Sequence, residues 1–434
     1  MKFDDQQFES YIVEVLKHIK SKTGKRVVKQ ELIWHLHEKT TTLIKNGVSE
    51  ELAIKQAMSE MGEPLILGRE MNKMHKPKTE WSMIILFIAI LAVGLLPMYT
   101  LNTEYIGVFQ RKLFFTVDAF VLGISVMFFP YEKLKRYWKC FFVIGLGLLF
   151  FTLLFGDGSF NGQNKLLLFG ITVDMLVALV CFFIAWAGLL SIDPFKNKLR
   201  KIIYSSLLFL IPLFLFGMIP DFFYGLMYVV LVFSLFIFSK ASKRFVYSFI
   251  SLYSFLFISL LLIEIGRSPS LLNRVEVFFS PDGHAWGMGY MYVTIREGLS
   301  KANWIGPALE DYIFKIPDLH TDFIFVYLIL MFGWLIAAII LTLFIILFIR
   351  IAVVVLKTND LFGKLLVVGG MSLFFSTFAW NVGMVLGILP IMSATFPFLS
   401  YGGSQQILYG LILGIILSVY RRSHLQKGIS QATA

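Results

Sequence analysis

Long apolar runs, separated by short polar segments, fill most of the chain after residue 80. Runs of roughly 17 to 25 apolar residues are long enough to cross the hydrocarbon core of a bilayer as a helix. Ten such runs begin near Trp81, Leu113, Cys140, Leu166, Ile202, Phe223, Val246, Phe323, Leu365 and Ile407. The last run is short, and its bounds are the least defined. The pattern predicts an all-α polytopic membrane protein with about ten transmembrane helices.

Basic residues in the connecting loops indicate the orientation, because Lys and Arg are retained on the cytoplasmic side of a membrane. Alternate loops and the tail are rich in them: Lys133, Lys135, Arg136, Lys139, Lys196, Lys198, Arg200, Lys201, Lys240, Lys243, Arg244, Lys357, Lys364, Arg421, Arg422 and Lys427. The intervening short loops hold at most Arg111, Lys112 and Lys165. Ten spans with both termini in the cytoplasm satisfy every loop and place the segment from Arg267 to Asp322 outside.

Composition supports the same class of protein. The chain has 434 residues, 57% of them hydrophobic, and a mean hydropathy of +0.75, which excludes an ordinary soluble domain. Membrane anchoring accounts for the net charge of +11, so the charge requires no nucleic acid partner. The two cysteines, Cys140 and Cys181, both lie in predicted spans, so no disulfide framework is expected.

Residues 1–78 differ in character, because they are charged and favour helix. Leu32, Leu36 and Leu43 recur at helical spacing, as do Leu52, Met58 and Met61. Gly47 ends one predicted helix, Ser49 begins the next, and Gly62 ends it. The pattern from Leu32 to Met71 resembles the small helical HAAS-type domain that precedes some bacterial permeases and regulators. We expect a soluble cytoplasmic helical domain at 1–78, a membrane domain at 81–422 and a cytoplasmic tail at 423–434.

Two segments predicted to lie outside carry candidate chemistry. The loop from Arg267 to Asp322 has about 55 residues, and its mixed charges and aromatic residues favour a folded, functional loop. The second segment, FPFLSYGGSQ, joins the last two spans, and Gly402 and Gly403 would let backbone N–H groups face a ligand. Polar residues inside spans are costly, so they either line a substrate path or serve as structural hydrogen-bond partners. These residues are Asp118, Asp174, Glu264 and Asn381.

Several motifs carry a family resemblance. ILPIMSATFPFLSYGGSQ and IPDLHTDFIF resemble signatures of the SEDS family, the FtsW/RodA/SpoVE-type proteins that polymerise peptidoglycan. In the second motif the agreement covers Pro317, His320, Thr321, Asp322, Phe323, Ile324 and Phe325, and Asp318 replaces a glutamate. The stretch LNRVEVFFSPDGHAWGMGY preserves a family-like Arg274. The resemblance spans most of Trp81 to Arg422.

The chain also departs from the family pattern. The stretch YMYVTIREGLSKANWIG lacks the usual Gln-Ser and Gly-Ser-Gly-Gly positions. Leu330 to Gly333 replace a Glu-Glu-Leu-Gly, the Pro-Ser-Glu expected near Asp174 is missing, and Met392 stands where relatives often carry Thr or Lys. The sequence is therefore that of a divergent member.

The resemblance implies polymerisation of lipid II by transfer of a glycan from a polyprenyl-pyrophosphate donor. Such a reaction needs a base for the acceptor hydroxyl and cationic groups for the leaving pyrophosphate. Asp322 matches the family's proposed catalytic carboxylate, and Arg274 is the first candidate to stabilise the leaving group. The other candidate substrate-binding residues are His320, Thr321, Asn381, Ser400, Tyr401, Gly402, Gly403 and Ser404.

Partners and location follow from the same resemblance. It implies lipid II or a related polyprenyl-pyrophosphate-linked saccharide as substrate, and a class B penicillin-binding protein with transpeptidase activity as partner. It also implies a multi-pass protein among the lipids of a bacterial cytoplasmic membrane, serving division, elongation or sporulation. No cofactor is established and a divalent cation stays open. No metal site is predicted, since His35 and His37 would point about 200° apart around a helix.

Three alternatives stay open at the sequence level. The chain could transport or bind a lipid-linked sugar without making a bond. It could also be an inactive family member that serves as a scaffold or regulator of cell-wall synthesis, for which the lost motif residues and the N-terminal domain argue. Asp322 itself could merely cap a helix that starts at Phe323.

Overall fold

A computed structural model describes residues 8–20, 22–74, 79–101, 106–160, 163–168, 171–192, 198–219, 222–267, 269–308, 316–317 and 319–423. Its helices are α1 Glu9–Lys17, α2 Lys22–Lys45, α3 Glu50–Glu60, α4 Pro64–Met74, α5 Trp81–Leu101, α6 Val108–Phe128, α7 Trp138–Phe155, α8 Leu176–Ile192, α9 Lys198–Met218, α10 Phe222–Ile237, α11 Lys243–Arg267, α12 Pro269–Phe279, α13 Tyr290–Ser300, α14 Ile324–Phe332, α15 Trp334–Lys357, α16 Leu361–Val385 and α17 Gly403–Ser423. Short 3-10 helices cover Tyr131–Tyr137 and Pro281–His284. Asp318, residues 309–315 and the predicted tail beyond residue 423 lie outside the described residues.

The prediction of an all-α polytopic membrane protein is confirmed. Within the described residues, five helical segments are long and apolar enough to cross a bilayer: Trp81–Leu101, Tyr131–Phe155, Trp334–Lys357, Leu361–Val385 and Gly403–Ser423. Shorter apolar helical segments follow at Leu176–Ile192, Ile202–Met218 and Phe223–Ile237. Helices α6 and α11 lie in the remaining two predicted spans, so each apolar run of the sequence overlaps at least one helix.

The predicted start of the fourth span at Leu166 is wrong. Asp157–Phe160, Gln163–Leu168 and Ile171–Val173 instead form strands β1, β2 and β3 of one antiparallel sheet in the order β1-β2-β3. Helix α8 begins ten residues later, at Leu176, where Oδ1 of Asp174 accepts the backbone N–H of Leu176 at 2.8 Å. A carboxylate that accepts one of the first helical N–H groups is a typical helix start.

The predicted span beginning at Phe323 is two helices rather than one. Gly333 separates α14 from α15 with φ +88° and ψ 174°, and a Cβ at this position would lie 2.5 Å from the carbonyl oxygen of Trp304. The backbone of the preceding loop pairs with the break, since Gly306 N–H donates to the Phe332 carbonyl at 3.3 Å and Trp334 N–H to the Asn303 carbonyl at 3.0 Å. Residues 324–330 of α14 are all buried. A helix of nine residues is too short to span a bilayer.

Two compact units divide the chain, and α1 to α4 belong to the first. Its core contains Phe8, Ile12, Val15, Ile19, Val28, Leu32, Leu36, Ile54 and Ala57. The predicted helix bounds are confirmed, because α2 ends before Gly47, Ser49 is the N-cap of α3, and Gly62 follows α3 with φ +89°. Leu52 is 62% exposed, so its assignment to an apolar face is wrong.

Small residues bring α6 and α17 into close contact in the second unit. A Cβ on Gly410 would lie 2.4 Å from the Ala119 carbonyl oxygen, and a Cβ on Gly414 would lie 2.5 Å from that of Gly123. Each helix therefore presents small residues four positions apart to the other. This spacing is common where helices pack closely in membranes. The hydrophobic effect does not drive helices together in lipid, so their association depends on close van der Waals packing.

Candidate functional site

The backbone around Asp322 is fixed by three hydrogen bonds from distant parts of the chain. The carbonyl of His320 accepts the backbone N–H of Tyr401 at 2.7 Å. The carbonyl of Thr321 accepts the hydroxyl of Ser400 at 2.7 Å, and that of Asp322 accepts Nδ2 of Asn381 at 2.8 Å. Three residues predicted to bind substrate thus converge on the predicted catalytic segment, and the contacts they make are to its backbone.

Two of these residues also organise the loop between α16 and α17. Nδ2 of Asn381 donates a second hydrogen bond, to the Ala394 carbonyl at 2.5 Å, and Oγ of Ser400 accepts the N–H of Phe396 at 2.7 Å. Asn381 is 0% exposed and Ser400 5%. Since both side chains are buried and join one backbone segment to another, their role in the fold is to hold the loop against residues 320–322.

His320, Thr321 and Asp322 are each half-buried as whole residues, and Nδ1 of His320 is buried. The imidazole of His320 lies near the ring of Tyr401, with centroids 5.8 Å apart. The N-cap of α14 is Phe323, one residue beyond Asp322. Asp322 therefore occupies the position before the cap, which corrects the alternative that placed the helix start at Phe323.

Lys112 contributes to the same site, and sequence reasoning assigned it wrongly to a loop. It lies on α6 with 0% exposure, and its Nζ donates to the carbonyls of Phe398 at 2.8 Å and Ser400 at 2.7 Å. Its place at the edge of the predicted span carried no clear signal, because a lysine there often extends its amino group to water. The two carbonyls lie nearly three hundred residues away, so no local pattern could have identified them.

The glycine pair beside this loop has a packing role in the structure. Gly403 is the first residue of α17, and a Cβ there would lie 2.5 Å from the ring of Phe115 on α6. The carbonyl of Gly402 accepts the N–H of Gln406 at 3.0 Å. Ser404 is half-buried in the first turn of α17. The close approach of α6 and α17 thus explains why Gly403 carries no side chain.

A second polar cluster lies beside the start of α17. Oδ1 of Asp174 accepts the hydroxyl of Tyr224 at 2.8 Å, and Oδ2 accepts Nε2 of Gln405 at 2.7 Å. Asp174 therefore joins α8, α10 and α17 through its carboxylate. Gln405 is the last residue of the motif FPFLSYGGSQ, whereas Tyr224 carried no signal in the sequence. Asp118 is half-buried on α6, and the side chain of Glu264 lies outside the described residues.

Arg274 does not join the Asp322 segment in the structure. It lies exposed on α12. The same helix contributes Phe278 to a cavity of about 440 Å³ that Tyr292, Arg296, Met384 and Ile391 also line. The hydroxyl of Tyr292 accepts the N–H of Ile391 at 2.8 Å. Burial raises the pKa of Tyr292, and the Ile391 N–H together with the positive charge of Arg274 partly offsets this rise.

No group of three or more His, Cys, Asp or Glu residues within the described part of the chain could hold a metal ion. A half-buried carboxylate on a fixed backbone can accept a proton from a bound hydroxyl group.

These features define a polytopic helical membrane protein with a carboxylate held at the start of a buried helix. The family model described as "Cell cycle protein", for the FtsW, RodA and SpoVE proteins, matches residues 80–425. A probable peptidoglycan glycosyltransferase FtsW of Thiomicrospira cyclica is 28% identical over 373 residues, which cover 80% of this chain and 93% of that protein. The chain belongs to the FtsW/RodA/SpoVE family, which confirms the resemblance seen in its motifs.

Solved structures show the same fold. One matching structure is of a peptidoglycan synthase complex that coordinates polymerization and crosslinking. One of its chains has a TM-score of 0.67 at 21% identity, and the match covers 79% of this chain and 98% of that chain. The rod shape determining protein RodA of Thermus thermophilus has a TM-score of 0.58 at 20% identity, and the match covers 80% of this chain and 97% of RodA.

Proposed function

We propose that the chain is a peptidoglycan glycosyltransferase that polymerises lipid II at the outer face of a bacterial cytoplasmic membrane. The observation that carries this proposal is the arrangement at Asp322, a half-buried residue whose backbone is fixed on both sides by hydrogen bonds. Family membership and the printed function of the FtsW relative support it.

The proposed reaction forms a bond between an acceptor sugar oxygen and the anomeric carbon of the donor. The bond from that carbon to the polyprenyl pyrophosphate breaks, and the pyrophosphate leaves with the electron pair. Asp322 takes the proton of the acceptor hydroxyl as the general base. A rigid backbone favours this role, because a reacting group must be held close to its near-attack geometry.

The other candidate residues divide into two roles. His320 and Thr321 are half-buried residues next to Asp322 and would orient the sugar headgroup, while exposed Arg274 would contact the leaving pyrophosphate. Buried Asn381 and Ser400, together with the N–H of Tyr401, hold the segment in place. The turn at Gly402, Gly403 and Ser404 sets the start of α17 and completes the frame.

Orientation and partnership belong to the same proposal. Both termini lie in the cytoplasm, which follows from the basic loops and puts Asp322 on the side where lipid II is polymerised. A class B penicillin-binding protein supplies the transpeptidase activity. The synthase complex with the matching fold, which coordinates polymerization and crosslinking, supports such a partnership. Division, elongation and sporulation are all compatible with the family.

The chain's departures from the family pattern favour a second candidate function. Polar positions usual in relatives are absent from YMYVTIREGLSKANWIG, part of which forms α13. An inactive family member that acts as a scaffold in cell-wall synthesis would show such losses.

Incubating the detergent-purified protein with lipid II tests the proposal. Polymeric glycan on a gel supports the glycosyltransferase. Translocation of lipid II across reconstituted vesicles without polymer would instead indicate a transporter. Neither product, with the folded state verified by a cooperative thermal transition, would support the scaffold.

A further inference from the structure

We propose that Lys112 is a positioning residue that holds the loop between α16 and α17 in the conformation that aligns Asp322. This inference rests on the proposed function of Asp322 as the base. Lys112 acts through the loop, so the proposal gives it no contact with substrate.

One residue connects Lys112 to the catalytic segment. The carbonyl of Ser400 accepts Nζ of Lys112 at 2.7 Å, and the hydroxyl of the same serine donates to the Thr321 carbonyl at 2.7 Å. Thr321 immediately precedes Asp322 in the chain. A displacement of Ser400 would therefore move the backbone that carries the base.

The second acceptor of Lys112 is a backbone group in an unusual conformation. Phe398 has φ +64°, the single positive φ of a non-glycine residue within the described ranges. The left-handed region disfavours residues with a Cβ, so neighbouring contacts must stabilise it. Nζ of Lys112 holds the Phe398 carbonyl at 2.8 Å.

The side chain of Phe398 is held separately, in an aromatic cluster. Its ring lies 5.2 Å from Phe87, 5.7 Å from Phe374 and 5.7 Å from Tyr409, measured between centroids. Packing fixes the ring whatever residue occupies position 112. The orientation of the peptide group, by contrast, depends on the donor that its carbonyl meets.

Helix α5 packs closely against the carbonyl of Phe398. A Cβ on Gly94 would lie 2.5 Å from the oxygen of Phe398, so α5 packs directly onto the peptide that Lys112 binds. Residues 396–400 of the loop, which include both carbonyls that Lys112 binds, are buried. A buried carbonyl without a donor is strongly disfavoured, and two carbonyls would lose their donor together if Lys112 lost its amino group.

The first test compares Lys112→Met with Lys139→Met in lipid II polymerisation. Lys139 is an exposed lysine on α7 and serves as the matched control. Met keeps the length of the side chain and removes the donor. We expect kcat of Lys112→Met to fall on the order of 10- to 100-fold, as for a misplaced catalytic group, with KM changed by less than about 3-fold. The control should keep the parental rate.

A double-mutant cycle with Asp322→Asn separates positioning from general damage. If Lys112 acts through Asp322, Lys112→Met lowers the residual rate of Asp322→Asn by less than about 3-fold. An equal loss in both backgrounds, or a parental rate for Lys112→Met alone, overturns the proposal. A parental rate for Asp322→Asn would instead show that the proposed function is wrong.

Ser400→Ala decides the question if Lys112→Met does not fold. The variant removes the hydroxyl that joins Ser400 to Thr321 but keeps the carbonyl bound by Lys112. Ser376→Ala is the control, because that hydroxyl returns to the Ser372 carbonyl of its own helix at 2.7 Å. We expect a kcat defect in Ser400→Ala that Asp322→Asn again masks. A parental rate in Ser400→Ala would overturn the proposal.

Discussion

At the scale of single residues, the site is mainly a set of contacts to backbone. Asn381, Ser400 and Tyr401 each meet one carbonyl of the segment from His320 to Asp322. These three residues were predicted to bind substrate, but their contacts in the structure orient the backbone that carries the Asp322 carboxylate. The groups left to contact a substrate are the half-buried side chains of residues 320–322 themselves.

Asn381→Asp tests this interpretation, because it removes the donor while leaving the size of the side chain unchanged. The new carboxylate would face the carbonyl oxygens of Asp322 and Ala394, which Nδ2 now binds. We expect a loss of stability of about 2–4 kcal/mol, because buried acceptors would lack donors, and reduced polymerisation.

Thermal denaturation in detergent measures the stability. Asn273→Asp is the control, since Asn273 lies exposed on α12 and should tolerate the change. Equal melting temperatures for the parent and Asn381→Asp would contradict the role assigned to Asn381.

Sequence motifs identified the residues of the candidate site, whereas the hydrogen bonds that hold these residues in place could not be predicted. His320, Thr321 and Asp322 stand in a recognisable motif, and Asn381 was recognisable as a buried polar residue in an apolar run. Lys112 was not, because a lysine near the end of a span often extends its amino group to water. Its real partners, the carbonyls of Phe398 and Ser400, are specified only by the folded loop.

At the scale of elements, two interruptions decide where the site lies. Gly333 ends α14 after nine residues, so the helix that follows Asp322 is too short to cross the bilayer. Residues 324–330 of this helix are buried. Asp174 starts α8 where the apolar run is already under way. Hydropathy sums over a window and cannot detect such breaks. A glycine with φ +88° and an aspartate that accepts a helix N–H are local geometric features.

The contact between α6 and α17 gives a prediction about glycine. Gly410→Leu would place a side chain against the Ala119 carbonyl, which a Cβ would approach to 2.4 Å. We expect a destabilisation of about 1–3 kcal/mol or more from overpacking, with a lower melting temperature. Gly147→Leu is the control, because a Cβ at Gly147 on α7 meets nothing within 4 Å. Similar melting temperatures for the two variants would contradict the proposed packing.

The loop between α12 and α13 gives a prediction about pH. Arg296 donates a hydrogen bond to the Asp282 carboxylate and lowers its pKa. The ion pair is therefore complete above the ordinary pKa of aspartate, about 3.9, and is lost as pH falls through the lowered value. Carboxyl-carbon NMR should show Asp282 titrating below its ordinary range and returning to it in Arg296→Gln. Identical titrations would contradict the pairing.

At the scale of the whole molecule, the apolar runs predicted the membrane class, whereas the run from Phe323 forms two helices and α12 and α13 lie outside the predicted spans. The end of α2 and both ends of α3 were also predicted, from Gly47, Ser49 and Gly62, and the two glycines adopt positive φ. The sheet β1-β2-β3 was missed, because a short apolar strand and the start of an apolar span look alike in a hydropathy window.

Orientation has a direct test at this scale. The basic loops predict that a reporter fused after Arg422 is active only in the cytoplasm and that one inserted near Gly283 is active only outside. A pair of reporters, one for each compartment, measures both positions in the same cells. The opposite pattern would put Asp322 on the cytoplasmic side of the membrane, away from the outer face where the proposed reaction takes place, and it would refute the site assignment.

The most direct measurement is the lipid II polymerisation rate of Asp322→Asn beside the parent. Asn keeps the size of the side chain and removes the basic carboxylate, while Phe323 remains the N-cap of α14. The account predicts a folded variant whose polymerisation is reduced on the order of 100-fold or more, the usual contribution of a general base. Polymerisation by Asp322→Asn at the parental rate would contradict it.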